Sequence, residues 1–295
     1  MTDYSNNNVE EIGNSSFTYF LRMAFRNFGI HIHNDFLICL ANLPFCLNYD
    51  TENKPDYWLM EYIPMDILEF LSVTIGLTLT NNEFPLVHKY PQDIDYPILV
   101  FAKWKGFPTP AWGYVEKILT SDSFYGEVMN HEGLIKRTET QKILQIIIPD
   151  LSSFKISYED IIKSIGKNAL KYLGYSGPVF CDGYMYGAEF FQLWMEQIDE
   201  RAIDIQPINT ARFCSTISHN AKCASRYFLS APIDSLNEMG TLFDNLAELL
   251  SPFNEPEDIK FILDTEEQVD FLIEAITRTK EIYLLIRPEL EALAK

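Results

Sequence analysis

The chain has 295 residues, with 23 lysine and arginine residues against 42 aspartate and glutamate residues, and a formal net charge of −19. Such an acidic balance excludes nucleic acid as a partner, because binding to a phosphate backbone needs clustered cations. It equally excludes docking on an anionic lipid surface. Hydrophobic residues make up 47% of the sequence, so the chain can bury a large core.

The negative charge is concentrated at the two ends of the chain. Residues 1–150 carry 10 basic and 19 acidic side chains, residues 151–229 carry 8 of each, and residues 230–295 carry 5 and 15. Neither a signal-peptide pattern nor an apolar run of about 18 residues occurs, so we expect a cytoplasmic protein without membrane contact. The five cysteines form no CxxC pair and predict buried, reduced thiols.

The first part of the chain is predicted to be helical and then to change to strands. Apolar residues recur at helical spacing from Phe17 to Phe28 and stop at Gly29, which is typical of a helix end. Further helices are predicted at 33–43 and 65–74. Strand patterns follow at 77–80, 98–102, 112–119, 123–129 and 143–148.

The remainder of the chain has helical periodicity, after a loop rich in glycine between residues 174 and 187. Helices are predicted at 157–173, 187–200, 205–229, 234–250, 257–264 and 266–294. Strands that follow one another without crossover helices indicate an α+β domain. The sequence therefore predicts an α+β first domain, residues 1–150, and an all-α second domain, residues 151–295.

Several motifs for common cofactors are missing from the sequence. Neither GxGxxG nor a P-loop occurs, and the HExxH and GxSxG patterns are absent as well. His31 and His33 are two residues apart, a spacing that on a helix directs the two side chains to different sides. We therefore expect neither a bound cofactor nor a metal ion.

Short segments spread over the chain resemble the butirosin biosynthesis protein H family, which is related to papain-like peptidases that process bacteriocin leaders. The segment Ser15-Ser16-Phe17 and the following TYFLRMAFRNFG are similar to the first long helix of that family, which begins at its nucleophile. Residues 95–100, DYPILV, resemble one of its strands. In the second half, the matching helical segments are 187–191, 224–229 and 243–250.

The resemblance implies a papain-like first domain and an acyltransferase of specialised-metabolite biosynthesis, such as antibiotic biosynthesis. Enzymes of this kind pass an acyl group from a carrier-protein thioester to an amine. The nucleophile position holds Ser16, or Ser15 if the match slips by one residue. Trp112 stands where the family has its histidine, and the third position holds Asn130, beside His131. The usual Cys–His pair is therefore absent.

The missing pair leaves three functions open. A serine hydroxyl needs a base to act as a nucleophile. In an acyltransferase, Ser16, Asn130 and His131 are the candidate catalytic residues. In a non-catalytic binding or scaffold protein, Ser15 and Ser16 merely cap a helix. The third alternative is an enzyme with new chemistry in the cleft between the two domains.

Aromatic residues are the candidate substrate-binding wall, because ligand pockets are lined mainly by apolar and aromatic side chains. This wall comprises Trp104, Trp112 and Tyr114, together with Tyr184 from the loop before residue 187, and Ser15 is a further candidate substrate-binding residue. A loop packed over the core is the alternative interpretation of the first three. The candidate ligand is a small-molecule substrate.

A basic stripe is predicted on one helix of the second half. Lys163, Lys167 and Lys171 recur at every fourth residue in an otherwise acidic chain. Such a stripe can steer an acidic acyl or peptidyl carrier protein, although a plain solvated face has the same pattern. The oligomeric state is left open, with a homodimer as one possibility.

Overall fold

The computed structural model is a mixed α+β structure. It describes residues 16–50, 70–71, 74–77, 97–107, 110–120, 122–129, 135–149, 154–177, 179–181, 184–199, 207–231, 233, 235–254 and 266–295, without the side chains at 48–50, 179–181, 184–185, 207–209, 235 and 266–267. The predicted strand at 77–80, apart from Leu77, and the predicted helix at 257–264 lie outside the described residues.

Helices precede and follow a central block of strands. The helices are α1 (Ser16–Asn27), α2 (Asn34–Leu40), α3 (Tyr158–Tyr172), α4 (Phe190–Asp199), α5 (Pro207–Ser230), α6 (Ser235–Leu250) and α7 (Glu266–Leu293). The strands are β1 (Asn48–Asp50), β2 (Leu99–Trp104), β3 (Ala111–Thr120), β4 (Ser123–Met129), β5 (Ile135–Ile147), β6 (Val179–Cys181) and β7 (Tyr184–Tyr186). The predicted α+β class is confirmed.

The chain forms two compact units. The first consists of Met1–Leu37 and Met65–Ile156, and the second consists of Ile38–Pro64 and Ser157–Lys295. The second unit therefore takes in a short early segment as well as the C-terminal half.

Helix α1 forms where the apolar residues recur at helical spacing. Phe17, Phe20 and Leu21 are fully buried, as are the apolar residues one turn further on. The helix ends in a Schellman motif, in which Gly29 has a φ of 74° and the Ile30 N–H bonds to the Phe25 carbonyl at 3.0 Å. The predicted glycine end of this helix is confirmed.

The first unit contains an antiparallel sheet of β2, β3, β4 and β5 that closes on itself as a barrel. Each strand pairs with its neighbour in sequence, and β5 pairs back with β2, for example Leu99 with Ile147. The interior is filled by buried apolar side chains, which include Val100, Trp104, Val115, Phe124, Val128 and Ile146. The four strands predicted between residues 98 and 148 are confirmed, although β5 begins earlier than expected.

The second unit is mostly helical. Helix α3 begins at Ser157, whose Oγ accepts a hydrogen bond from the Asp160 N–H at 3.4 Å, and Gly174 follows its end with a φ of 74°. Gly166 lies so close to Leu293 of α7 that an added Cβ would meet the Leu293 Cβ at 2.9 Å. Glycine thus permits α3 and α7 to pack closely.

The expectation of an all-α second domain needs a correction, because the second unit also has a small antiparallel sheet in the order β1-β7-β6. Strands β6 and β7 pair through Cys181 and Tyr184, which leaves only Asp182-Gly183 between them. Asp-Gly is a favoured hairpin dipeptide. Strands of three residues are too short to produce a recognisable alternating pattern, which is why the sequence predicted a loop.

Candidate functional site

Ser16, the candidate nucleophile, is the first residue of α1 and is only 1% exposed. Its Oγ accepts a hydrogen bond from the backbone N–H of Trp112 on β3, with 3.3 Å between the nitrogen and the oxygen. The hydroxyl therefore joins the start of the helix to the barrel wall. Within the described part of the chain, no histidine forms a hydrogen bond with Ser16.

Trp112 occupies the position that the resemblance assigns to a histidine, and its side chain is fully buried. The indole ring lies 5.0 Å from the ring of Phe17 and 5.4 Å from the ring of Phe101, measured between centroids. Its Nε1 is buried without a hydrogen-bond partner among the described residues. The Trp112 side chain therefore packs between α1 and the outside of the barrel.

Tyr114 lies two residues further along β3 and contacts the other end of α1. Its hydroxyl accepts a hydrogen bond from Asn27 Nδ2. Partial burial raises the pKa of Tyr114, the Asn27 hydrogen bond lowers it, and the nearby carboxylates of Glu127 and Glu116 raise it. The phenol is a polar contact for the end of the helix.

Trp104 faces the barrel interior and is fully buried. Its Nε1 donates a hydrogen bond to the Ala111 carbonyl at 2.9 Å. Its ring occupies the space above Gly113, where an added Cβ would collide with the indole. The Trp104 side chain is thus part of the barrel core. Trp112 and Tyr114 lie on the side of β3 that α1 covers.

The other predicted site residues are described incompletely. Ser15, Asn130 and His131 lie outside the described residues. Tyr184 belongs to the second unit, where its backbone in β7 pairs with Asp50 and Cys181, and its side chain is not described. The structure thus brings Ser16 and Trp112 together and provides no geometry for the remaining members of the predicted catalytic group.

Two of the three lysines of the predicted basic stripe contact their own chain. Lys163 Nζ donates a hydrogen bond to the Lys295 carbonyl. Lys171 Nζ lies 5.4 Å from the centre of the Tyr172 ring. Lys167 is exposed on the same helix. The three lysines of the stripe therefore lie on α3, but Lys163 and Lys171 already contact groups of their own chain.

A second polar cluster, which the sequence did not reveal as a site, lies on α5. The Sγ of Cys223 is 3.4 Å from Nε2 of His219 and accepts a hydrogen bond from the Arg226 guanidinium at 3.3 Å. The three residues are four and three positions apart, so they share one face of the helix. The sequence suggested only a core thiol at Cys223, and the spacing H-x-x-x-C-x-x-R was the available signal.

The four cysteines whose side chains are described, Cys39, Cys46, Cys214 and Cys223, are buried thiols. The prediction of buried thiols is confirmed for these four. Among the described residues, no group of three histidine, cysteine, aspartate or glutamate side chains is placed to hold a metal ion. No helix in the described ranges has both the length and the apolar character needed to cross a bilayer.

Comparisons with known proteins add no family assignment to this picture. No model of a protein family matches the chain, and no curated protein matches it.

Proposed function

We propose that the protein is a non-catalytic binding protein with a papain-like first domain, in the lineage of the carrier-protein acyltransferases that its sequence resembles. The observation that carries the proposal is the hydrogen bond from the Trp112 N–H to the Ser16 Oγ. This bond joins the two positions at which a papain-like acyltransferase would carry its nucleophile and its base.

The papain-like part of the proposal is supported by this juxtaposition. A nucleophile at a helix start and a base on a facing strand must lie within hydrogen-bond reach of each other. Ser16 opens α1 and Trp112 is the second residue of β3, 96 positions later, yet they are in contact. The resemblance to the family assigns the nucleophile and the base to these same two positions.

Within the described part of the chain, no group that hydrogen-bonds the Ser16 hydroxyl can act as its base. An indole Nε1 carries a hydrogen and has no acceptor lone pair in the ring plane, so Trp112 cannot remove a proton from a hydroxyl. A backbone N–H has the same limitation. Ser16 is only 1% exposed, and a buried hydroxyl used as an acceptor is a structural group rather than an attacking one. The binding function therefore fits better than acyl transfer.

The partner in this proposal comes from the resemblance and is an acyl or peptidyl carrier protein. Such a partner is acidic, while the chain itself has a net charge of −19, so docking needs a local basic surface. The lysine stripe on α3, and Lys167 in particular, is the candidate for that surface.

The test combines intact-protein mass spectrometry with calorimetric titration of a carrier protein loaded with an acyl thioester. Three proteins are compared: the natural chain, Ser16→Ala and Ser218→Ala. Ser218 is the matched control because it is also a buried serine, and its Oγ donates to the Ala247 carbonyl at 2.8 Å. We expect binding without a covalent adduct in all three, with dissociation constants within about twofold of one another.

Two outcomes would contradict the proposal. An acyl adduct on the natural chain and on Ser218→Ala, but not on Ser16→Ala, would establish an acyltransferase that uses Ser16. Failure of the loaded carrier to bind any of the three folded proteins would remove the carrier as the partner.

A further inference from the structure

Strands β2 and β5 place two lysines side by side on the outside of the barrel. Lys103 and Lys142 are paired across this antiparallel ladder, and both side chains are exposed. Residues directly opposite each other have their Cβ atoms about 5 Å apart, so two like charges in such a pair destabilise the sheet. Glu139, further back along β5, is already paired with Lys105. Within the described part of the chain, neither Lys103 nor Lys142 forms an ion pair with a carboxylate.

Two irregularities in the pairing of β2 with β5 lie on either side of this lysine pair. The register shifts between Phe101 and Ala102, so that Leu144 of β5 is left out of the pairing, and it shifts again after Lys103. Bulges of this kind re-aim side chains, and Leu144 is 42% exposed. Lys103, Lys142 and Leu144 together form what we call the lysine surface, which combines positive charge with an apolar side chain.

The outer face of α6 has the opposite charge. The helix contains Glu238, Asp244 and Glu248 and not one basic residue. Glu238 and Glu248 are exposed, Asp244 is half-buried, and none of the three forms an ion pair among the described residues. Glu248 lies in the last turn, where the negative end of the helix dipole disfavours a carboxylate and favours a cation. These three residues and the exposed Pro252, which follows the helix, form the acidic surface.

We propose that the lysine surface of one copy of the chain docks on the acidic surface of a second copy. Each surface carries charges of one sign that its own neighbours leave uncompensated, and docking brings the opposite charge to both. The net charge of −19 on each copy opposes association, but charges more than about 8 Å apart are largely screened at physiological salt. Because the contact joins two different surfaces, it is heterologous and gives either closed rings or open chains of copies.

The experiment measures self-association of the full-length chain by sedimentation velocity at about 0.15 M salt. Lys103→Glu/Lys142→Glu reverses the lysine surface, and Glu238→Lys/Glu248→Lys reverses the acidic surface. We expect the natural chain to associate as its concentration rises, and each variant alone to associate at least about tenfold more weakly, because its two surfaces then have the same sign. The Glu238→Lys/Glu248→Lys chain is less acidic overall, so a general charge repulsion would instead predict stronger association for it.

Mixing the two variants separates docking between these surfaces from any other cause of association. Every contact between unlike variants joins opposite charges, so the mixture should associate to within about threefold of the natural chain. A single chain that carries all four substitutions should associate again for the same reason. The matched control is Lys117→Glu/Lys155→Glu, which changes the net charge as much as reversal of the lysine surface does. Both of its residues are exposed and lie outside the two surfaces, so it should associate like the natural chain.

A natural chain that stays monomeric up to its solubility limit would overturn the proposal, and this observation needs no variant. Association that neither reversal weakens would also overturn it, as would a mixture that associates no better than its two components. Thermal melting identifies any variant that does not fold. In that case the neutral Lys103→Gln/Lys142→Gln chain replaces the reversed one, and unchanged association of this folded chain would equally refute docking through the lysine surface.

Discussion

Ser16 and Cys223 are two buried, potentially nucleophilic side chains whose neighbours differ. Ser16 is 1% exposed and accepts a hydrogen bond from a backbone N–H of the barrel. Cys223 is 0% exposed and contacts an imidazole and a guanidinium. A backbone amide brings no full charge, whereas the guanidinium beside the thiol carries one.

This difference shows that the position of a side chain in a helix or strand does not by itself make that side chain a nucleophile. Ser16 is at a helix start facing a strand, and among the described residues its hydroxyl hydrogen-bonds a backbone N–H, which cannot act as a base. Cys223 lies in the interior of a long helix, and its sulfur contacts an imidazole nitrogen and a guanidinium. The contacts of the reacting atom, rather than the place of its residue in the fold, separate the two.

The largest expected effect on stability comes from removing the Trp112 side chain, which lies beside Ser16. Trp112→Ala deletes a fully buried indole that contacts Phe17 and Phe101, and it should lower the free energy of unfolding by about 3–5 kcal/mol. Trp112→Phe keeps an aromatic ring and should cost less than half as much. Urea unfolding of both variants measures the difference. A loss below about 1 kcal/mol in Trp112→Ala would show that the indole is not part of the packed core.

The second prediction tests whether the Ser16 hydroxyl is structural. Ser16→Ala leaves the Trp112 N–H buried without its acceptor and should lower the free energy of unfolding by about 1–3 kcal/mol. Ser218→Ala removes an equivalent hydroxyl that donates to the Ala247 carbonyl, and it should cost about 1 kcal/mol. Chemical denaturation of both variants gives the comparison. A Ser16→Ala protein as stable as the natural chain would refute the structural role.

The sequence predicted most of the fold because its patterns are local. Helices α1 and α3 have both an apolar face and recognisable ends, and strands β2, β3 and β4 are short apolar or alternating runs. Strand β5 begins at Ile135, but its first half reads IKRTETQK and has no apolar stripe, so only its apolar end was predicted. Pairing with β4 extends this strand, and such pairing is not visible in a single segment.

The candidate site was predictable only in part, because its contacts join residues that are far apart in the sequence. The sequence singled out both Ser16 and Trp112, and in the structure the Ser16 Oγ accepts a hydrogen bond from the Trp112 N–H. The use of the Ser16 hydroxyl as an acceptor depends on the exact packing of α1 on β3, which no local pattern specifies. The cluster around Cys223 was visible as a spacing, but the convergence of His219 and Arg226 on the sulfur depends on their side-chain conformations.

The smallest expected effect concerns Tyr175, where the influence of a guanidinium on the pKa opposes that of burial. Arg287 lies 4.8 Å from the centre of the Tyr175 ring and lowers the pKa of that phenol, but burial raises it more, to about 12 from the usual 10.0. The Tyr175 hydroxyl donates to the Tyr283 carbonyl at 2.9 Å, a bond that also favours the protonated form. Here one cation that stacks on a ring does not overcome desolvation.

The resulting pH dependence has a definite sign. Between pH 10 and about pH 12 the unfolded chain loses the Tyr175 proton while the folded chain retains it, so stability falls as the pH rises through this window. Tyr175→Phe should therefore make the decline shallower, by at most about one proton in the slope. Urea midpoints measured across this pH range test the prediction, and Arg287→Gln should extend the window upward as a control. Identical slopes in the natural chain and Tyr175→Phe would show that this phenol ionises equally easily in both states, and that a single guanidinium is enough to cancel burial.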